Sequence, residues 1–318
     1  MIFEKKVIER YKAMAFSRCD DDGTAFYFSS DDFPGLNKKA YSFKSSMGHN
    51  LQGYFYSYEK TVEGRIVVFD HGMGGGHRSY MREIEKLCRH GFLVFSYDHT
   101  GCMESGGENP HGLTQSLRDL NDCLVALKKD FPDKDFSVMG HSWGGFSSMN
   151  ISAFHPDVSH VVVLSGFVSV ECLINSYFRG FLKFYRGPVL ALERKSNPDF
   201  FPYNGCETLS KSKAKALLIY SEDDKLCPKI HFDMLKEKLE GRENTRFLLV
   251  PRRGHNPNYT EEAIVSLKKY ISEKARLVKS GRLSTDEEKK AFVASFDWHK
   301  ITDQDELVWK EIFDFLDK

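Results

Sequence analysis

The stretch SVMGHSWGGFSSM, residues 137–149, places Ser142 between Gly140 and Gly144 at the end of an apolar run. The run DFSVMG has the composition of a strand, and the residues after the serine can continue as a helix. A strand, a sharp turn and a helix are the setting that presents a serine as a nucleophile, and flanking glycines leave room for the turn. A chain of this length carries the GxSxG pattern by chance about one time in six, so the rest of the sequence must decide what Ser142 does.

Short apolar runs alternate with helical patterns along most of the chain. The six runs are RIVVFDHG (65–72), GFLVFSYD (91–98), DFSVMGHS (135–142), VSHVVVLSG (158–166), AKALLIYS (214–221) and TRFLLVP (245–251). Continuous apolar runs of this length are typical of strands buried on both faces of a sheet. The sequence therefore predicts an α/β protein with a mainly parallel sheet, preceded by an N-terminal helix and an antiparallel hairpin.

The alternation breaks between the fourth and fifth runs. Residues 167–205 contain nine aromatic side chains and no strand-like run. We expect this segment to be a helical lid inserted into a core formed by residues 1–166 and 206–318. The alternative is a long crossover that packs on the core, although long connections in compact domains are more often functional.

The C-terminal region carries two further helical patterns. Ser284 and Glu287 have the spacing of a capping box, and Thr302 precedes a second helical pattern. The apolar face of that second pattern contains Val308, Ile312, Phe315 and Leu316. We expect this face to pack against the main body rather than against a second copy of the chain.

The composition restricts the classes of partner. The 318 residues include 45 Lys and Arg and 45 Asp and Glu, without a long basic block. This balance gives no sign of binding nucleic acid or a membrane surface, so we expect a small-molecule partner. The sequence has neither a membrane-spanning apolar run nor the apolar core of a signal peptide. Its seven cysteines, without CxxC spacing, favour reduced thiols and a cytoplasmic protein; the oligomeric state is not predicted.

An acid that could orient a catalytic histidine is expected after the fifth apolar run. A serine hydroxyl becomes a strong nucleophile when a histidine accepts its proton and a carboxylate holds that histidine. The segment SEDDKLCP offers Glu222, Asp223 and Asp224. We choose Asp224, because a small apolar residue and a proline follow it and proline begins the next helix; Asp223 is the alternative.

Three histidines follow this acid, and one of them has the position that the mechanism needs. His231 falls inside a helical pattern, and His299 lies in the C-terminal region. His255 lies in RRGHNP directly after TRFLLVP, where a loop can direct its ring towards Ser142. The order serine, acid, histidine is the order found in hydrolases in which each residue follows a strand.

The glycine-rich segment HGMGGGH after the first run is a candidate oxyanion loop. Two backbone N–H groups must face the oxygen that becomes negative during the reaction. One is expected from Trp143, the residue after the nucleophile, and the other from Met73, with Gly74 as the second choice. Phosphate binding is disfavoured because the segment lacks the Lys-Ser/Thr of a P-loop and the third glycine of GxGxxG.

The sequence contains no metal-binding signature. His71 and His77 are six residues apart in the glycine-rich segment, without an HExxH motif, and we expect structural or oxyanion-loop roles for them. We expect Cys102, in DHTGCMESGG, to be a small residue in a tight turn rather than a reactive thiol.

These segments together resemble the α/β-hydrolase family over about residues 40–278. The resemblance rests on HGMGGG, YDHTGCMESGG, GHSWGG, the acid in SEDDKLCP and the histidine in RRGHNP, in that order. The segment YDHTGCMESGG is similar to the DxRGxGxS turn of many such hydrolases, with Thr100 in place of the arginine. The resemblance implies an eight-stranded, mostly parallel sheet with a helical lid after the sixth strand.

The resemblance also implies a serine hydrolase of esterase or lipase type that uses no cofactor and no metal. Ser142 would attack a carbonyl, His255 would take its proton and Asp224 would hold the imidazole. The amides of Met73 and Trp143 would stabilise the oxyanion. The aromatic lid favours an ester with a small or medium apolar or aromatic part. A peptidase or amidase of the same fold, a thioesterase and a non-catalytic binding protein are the alternatives.

Overall fold

The computed structural model describes residues 2–62 and 64–318, and Met1 and Glu63, which fall in the predicted core range, lie outside the described residues. A sheet of eight strands forms the centre of the molecule. The strands are β1 (Asn37–Lys44), β2 (Asn50–Ser57), β3 (Arg65–Asp70), β4 (Leu93–Tyr97), β5 (Asp135–His141), β6 (His160–Leu164), β7 (Lys215–Ser221) and β8 (Thr245–Val250).

The strands are arranged in the order β1-β2-β4-β3-β5-β6-β7-β8. The pairs β1–β2 and β2–β4 are antiparallel, and all the other neighbours are parallel. The predicted fold class, an α/β protein with a mostly parallel eight-stranded sheet, is confirmed. The carboxyl ends of the parallel strands meet at one edge of the sheet, which is where loops from different strands can form a common site.

Helices cover both faces of the sheet. They are α1 (Ile2–Ala15), α2 (Met81–His90), α3 (Gln115–Asp130), α4 (Trp143–Asn150), α5 (Val170–Tyr177), α6 (Arg186–Ser196), α7 (Gly205–Lys211), α8 (Ile230–Lys238), α9 (Glu261–Lys279), α10 (Asp286–Ala294), α11 (Trp298–Ile301) and α12 (Glu306–Leu316). Among the described residues, no helix combines the length and the apolar character that crossing a membrane requires.

Strand β3 shows why the apolar runs are continuous rather than alternating. Ile66 and Val68 belong to a hydrophobic core on one face of the sheet. Val67 and Phe69, between and beside them, belong to a second core on the opposite face. Successive side chains of a strand point to opposite faces, so a strand covered on both sides is apolar at every position.

Helix α12 covers part of the second core. Its side chains Val308, Ile312, Phe315 and Leu316 pack in that core, together with Trp309 and residues of α2. The expectation that this apolar face lies against the main body is confirmed. The predicted capping box is wrong by one residue, because the hydrogen bonds that begin α10 join Thr285 and Glu288 rather than Ser284 and Glu287. Ser284 also donates to Glu288, and two adjacent hydroxyl residues made the register ambiguous in the sequence.

The segment 167–205 contains α5, a short 3₁₀ turn at residues 180–185 and α6. Its aromatic side chains divide into two groups. Phe167, Phe200 and Phe201 are buried in the first core, whereas Phe184 in the 3₁₀ turn is 74% exposed. The division of the chain into a core and a lid stays a prediction.

A buried carboxyl group joins this segment to the N-terminal helix. Glu193 on α6 is fully buried. It accepts hydrogen bonds from the Tyr11 hydroxyl of α1, at 2.6 Å, and from the Leu113 N–H, at 2.8 Å. Burial raises the pKa of Glu193 to about 7, and the two hydrogen bonds oppose this rise only in part.

Replacing Glu193 by glutamine is expected to change how stability depends on pH. The folded chain keeps the Glu193 proton up to about pH 7, whereas an exposed glutamate loses it near 4.5. The folded state therefore binds more protons between these values, and the free energy of unfolding falls as the pH rises through them. The fall is about 2 kcal/mol between about pH 5.5 and pH 7.5. Denaturant unfolding at these two pH values should show this fall for the parent and not for Glu193→Gln.

The matched control is Glu171→Gln, which changes an exposed glutamate on α5. This variant should keep the pH dependence of the parent. Parallel pH dependences for the parent and Glu193→Gln would contradict the account of Glu193.

Candidate active site

Ser142 lies in a strained turn between β5, which ends at His141, and α4, which begins at Trp143. Its backbone has φ of 55° and ψ of −108°, a conformation that residues with side chains rarely adopt. A Cβ atom at Gly140 would lie 2.1 Å from the carbonyl oxygen of Gly144. The glycines that flank the serine are therefore required by the closeness of the backbone.

Asp224 and His255 come together from the loops that follow β7 and β8. His255 Nδ1 lies 2.8 Å from Asp224 Oδ2. The other carboxylate oxygen, Oδ1, accepts the N–H groups of Leu226 and Cys227, at 2.8 and 3.0 Å. The Asp224 side chain is completely buried, while His255 is 16% exposed. Two backbone donors thus hold the carboxylate in the orientation in which it accepts from the ring.

The neighbouring Asp223 has different partners. Its Oδ1 accepts hydrogen bonds from the Ser221 hydroxyl and from the Gly254 N–H, both at 2.8 Å. Its Oδ2 lies 3.8 Å from the Lys268 ammonium group, and the side chain is 40% exposed. The structure therefore brings Asp224 to His255, and it uses Asp223 to join the two loops.

Ser142 and His255 both line a cavity of about 290 Å³, together with Met73 and Trp143. The Ser142 hydroxyl is hydrogen-bonded to the Cys227 thiol. Within the described residues, no hydrogen bond joins Ser142 to the His255 ring. Such contacts are often long or poorly aligned in the absence of substrate.

Most of the other side chains that line this cavity are apolar, although Tyr80 and His141 also line it. Its lining also includes Met14, Leu113, Phe167, Leu173, Tyr177, Leu226 and Cys227. These residues come from α1, from the loop before α3, from the segment 167–205 and from the loop after β7. A larger surface groove of about 580 Å³ lies near Ala153 and Tyr203, but no histidine or cysteine is among the described residues that line it. The smaller cavity is therefore the candidate active site.

The expected oxyanion donors lie at the edge of this cavity. Trp143 is the first residue of α4, and the first N–H groups of a helix have no partner within it. Within the described part of the chain, the N–H groups of Trp143 and Met73 donate to no protein acceptor. The Gly74 N–H is already hydrogen-bonded to the Cys19 thiol. Of the two residues considered in the glycine-rich loop, Met73 is thus the one whose N–H is available.

His141 connects the loops around the cavity, although it was not among the predicted site residues. Its Nε2–H donates to the backbone carbonyl of His255 at 2.7 Å, and its Nδ1 accepts from the Tyr80 hydroxyl at 2.8 Å. The Tyr80 hydroxyl in turn accepts the Gly72 N–H at 3.1 Å. Burial lowers the pKa of His141 to about 3, which keeps the ring neutral and able to both donate and accept. Only the position of His141 directly before Ser142 pointed to it.

A buried charged cluster lies beneath the glycine-rich loop. His99 lies 3.1 Å from Asp70 and 3.3 Å from Asp119. Burial disfavours the charged ring, but the two carboxylates outweigh burial and raise the pKa of His99 to about 10. The His99 ring centre lies 4.6 Å from that of Trp143. The cluster therefore supports the residue that follows Ser142.

The two histidines of the glycine-rich segment have structural partners. His71 accepts the backbone N–H of His99 at 2.9 Å, and burial lowers its pKa to about 3. His77 lies 2.7 Å from Asp98 and 3.0 Å from the Tyr56 hydroxyl. In residues 2–62 and 64–318, no group of three or more His, Cys, Asp or Glu side chains could hold a metal ion.

Comparison with known proteins supports the hydrolase resemblance. The sequence model of a family described as serine aminopeptidase, S33, matches residues 62–200. The chain is 31% identical to the rat monoglyceride lipase over 111 residues, which cover 34% of this chain and 35% of that protein. It is 29% identical to a monoglyceride lipase homolog of monkeypox virus, covering 33% of this chain and 38% of the viral protein. The chain thus spans little more than a third of the length of these relatives.

A solved structure extends the likeness to most of the fold. The esterase Pf2001 of Pyrococcus furiosus superposes on 80% of this chain and 96% of its own, with a TM-score of 0.59 and 17% sequence identity. At this identity the likeness concerns the fold.

Proposed function

From the premise that this chain has the α/β-hydrolase fold, we propose that it is a serine hydrolase that cleaves carboxylic esters through an acyl-enzyme on Ser142. One observation carries the proposal. The Asp224–His255 pair, 2.8 Å apart, opens on the same cavity as a serine in a strained turn. Such a constellation converts a weakly nucleophilic hydroxyl into a strong nucleophile.

Each residue has a defined role in the proposed reaction. The Ser142 oxygen attacks the ester carbonyl while the His255 ring takes the hydroxyl proton. Asp224 holds the ring through Nδ1–H and stabilises the imidazolium. His255 then gives the proton to the leaving alcohol, and the acyl group stays on Ser142. Water, activated by His255, finally releases the carboxylic acid.

The oxyanion site is proposed to consist of the N–H groups of Met73 and Trp143. Both residues line the cavity, and among the described residues neither N–H donates to a protein acceptor. A preorganised donor of this kind typically contributes about 3–4 kcal/mol to the stability of the transition state. The bonds through Tyr80 and His141 fix the glycine-rich loop relative to the His255 loop.

The cavity chemistry favours an apolar acyl group of small or medium size. The volume of about 290 Å³ and the mostly apolar lining suit such a group. We also propose that residues 167–205 act as a lid, because Phe167, Leu173 and Tyr177 line the cavity from this segment. The Tyr177 hydroxyl donates to the carbonyl of Leu226, which ties the segment to the loop that carries Asp224.

A peptidase is the second candidate, because the matching family model is described as a serine aminopeptidase. An aminopeptidase must hold the charged N-terminus of a peptide, which favours a carboxylate facing the cavity. No Asp or Glu is among the described residues that line it. The cavity therefore favours esters, and thioesters would be cleaved by the same chemistry.

The Ser142→Ala variant should lose ester hydrolysis by at least about a thousandfold in kcat, because no acyl-enzyme can form. The measurement is turnover of p-nitrophenyl esters from acetate to palmitate, beside a panel of aminoacyl p-nitroanilides. The parent should cleave the short and medium esters best and the anilides weakly. A matched control is Ser210→Ala, which changes a half-buried serine on α7, outside the cavity lining. Ester turnover by Ser142→Ala within tenfold of the parent would refute the assignment of the nucleophile, and anilide turnover alone would favour the peptidase.

Asp223 and Asp224 are adjacent, so substituting each of them in turn tests which one orients His255. Asp224→Asn should reduce kcat by about ten thousandfold, because the amide favours the wrong tautomer of His255. Asp223→Asn should keep kcat within about tenfold, since this side chain only joins the two loops. Steady-state kinetics on p-nitrophenyl butyrate would separate the two. The reverse pattern would mean that Asp223 is the acid.

A further inference from the structure

Two cysteines that are far apart in the sequence lie side by side next to the glycine-rich loop. Cys19 and Cys102 form an isolated parallel bridge between the segment after α1 and the loop after β4. The Cys19 N–H donates to the carbonyl of Gly101 at 2.9 Å, and the Met103 N–H donates to the carbonyl of Cys19 at 2.9 Å. Two backbone hydrogen bonds therefore fix the two residues in register.

The neighbouring Arg18 strengthens this register. Its guanidinium group donates to the carbonyl of Gly107 at 2.8 Å and to the carbonyl of Ser105 at 3.1 Å. Paired residues on adjacent strands lie about 5 Å apart, which is within the range of Cα separations that disulfides span. Both thiols are reduced in the structure, and they are hydrogen-bonded to each other.

The two thiols differ in exposure and in pKa. Disulfide formation needs one accessible thiol that is readily deprotonated and a second thiol beside it. Cys19 is half-buried, whereas Cys102 is fully buried. The hydrogen bond from Cys102 and the N–H of Gly74 lower the pKa of Cys19 to about 7, against the effect of burial. The same hydrogen bond and burial raise the pKa of Cys102 well above its ordinary value. Cys19 is thus the accessible, nucleophilic thiol and Cys102 the resolving one.

We propose that Cys19 and Cys102 form a reversible disulfide when a peroxide reaches the chain. The Cys19 thiolate attacks one oxygen of the peroxide, the O–O bond breaks, and Cys19 becomes a sulfenic acid while the other oxygen leaves as water. The Cys102 thiol then attacks the Cys19 sulfur and displaces the hydroxyl as a second water. The two sulfurs together lose two electrons, which reduce the peroxide, and a dithiol reagent reverses the reaction.

The disulfide acts on the candidate site through Gly74. In the reduced chain the Cys19 sulfur accepts the Gly74 N–H, one residue from Met73. A disulfide sulfur is a much weaker acceptor than a thiolate, so oxidation releases this anchor of the glycine-rich loop. This consequence rests on the proposed function. It predicts a lower kcat for ester hydrolysis after oxidation, by about tenfold, with KM changed less than twofold.

The test is mass spectrometry of the full chain after treatment with hydrogen peroxide and a non-reducing digest. The expected product is a cross-linked pair of peptides that contain Cys19 and Cys102, with the loss of two hydrogen atoms. In Cys102→Ser, and in Cys102→Ala should the serine variant fail to fold, dimedone should trap Cys19 as its sulfenic acid. Cys172→Ser, which changes the other half-buried cysteine, should still form the cross-link.

Two thiols that stay reduced, or a cross-link to a different cysteine, would overturn the proposal. A cross-link that leaves the kcat of an active parent unchanged would overturn the link to Gly74. These outcomes are distinct from failure of the proposed function, in which the fully reduced chain would cleave no ester although the cross-link still forms.

Discussion

The close approach of α4 to the carboxyl end of β3 is the constraint on which the candidate site depends. A Cβ atom at Gly144 would lie 2.0 Å from the carbonyl oxygen of Asp70. Only glycine lets the helix begin this close to the sheet, and the chain must then turn through the strained conformation of Ser142. The Asp70 side chain is held from below by the Tyr97 hydroxyl, at 2.9 Å, and by the Ser147 hydroxyl. The backbone contact at Gly144 and the hydrogen bond between the buried Asp70 side chain and Ser147 therefore both fix the position of α4.

The other parts of the site are held by polar links between loops rather than by the sheet itself. The loop with Asp224 and the loop with His255 share the hydrogen bonds of Asp223 as well as the Asp224–His255 pair. His141 connects the His255 loop to the glycine-rich segment. On the far side of that segment, Cys19 holds Gly74. A polar network stabilises a fold when each of its donors and acceptors has a partner. Breaking one of these hydrogen bonds is therefore expected to weaken the others.

The strands and the order of the three candidate catalytic residues could be predicted from the sequence, because both depend on local pattern and chain order. The six apolar runs became β3 to β8, and the loops after β5, β7 and β8 carry Ser142, Asp224 and His255. Asp223 and Asp224 could not be separated by pattern, because both are adjacent acids and only backbone geometry decides which reaches the ring. The capping box of α10 was predicted one residue too early, because Ser284 and Thr285 are adjacent hydroxyl residues. Tyr80, His141 and Cys19 were missed, since each acts through a partner distant in the sequence and no local signal marks such a pair.

The central claim is that Ser142 is an activated nucleophile, and labelling with a fluorophosphonate tests it most directly. The reagent forms a covalent bond with a serine oxygen only where a base activates the hydroxyl. About one adduct per chain is expected, mapped by peptide mass spectrometry to Ser142 and absent from Ser142→Ala. A folded chain that takes up no reagent, or one labelled equally well after Ser142→Ala, would contradict it.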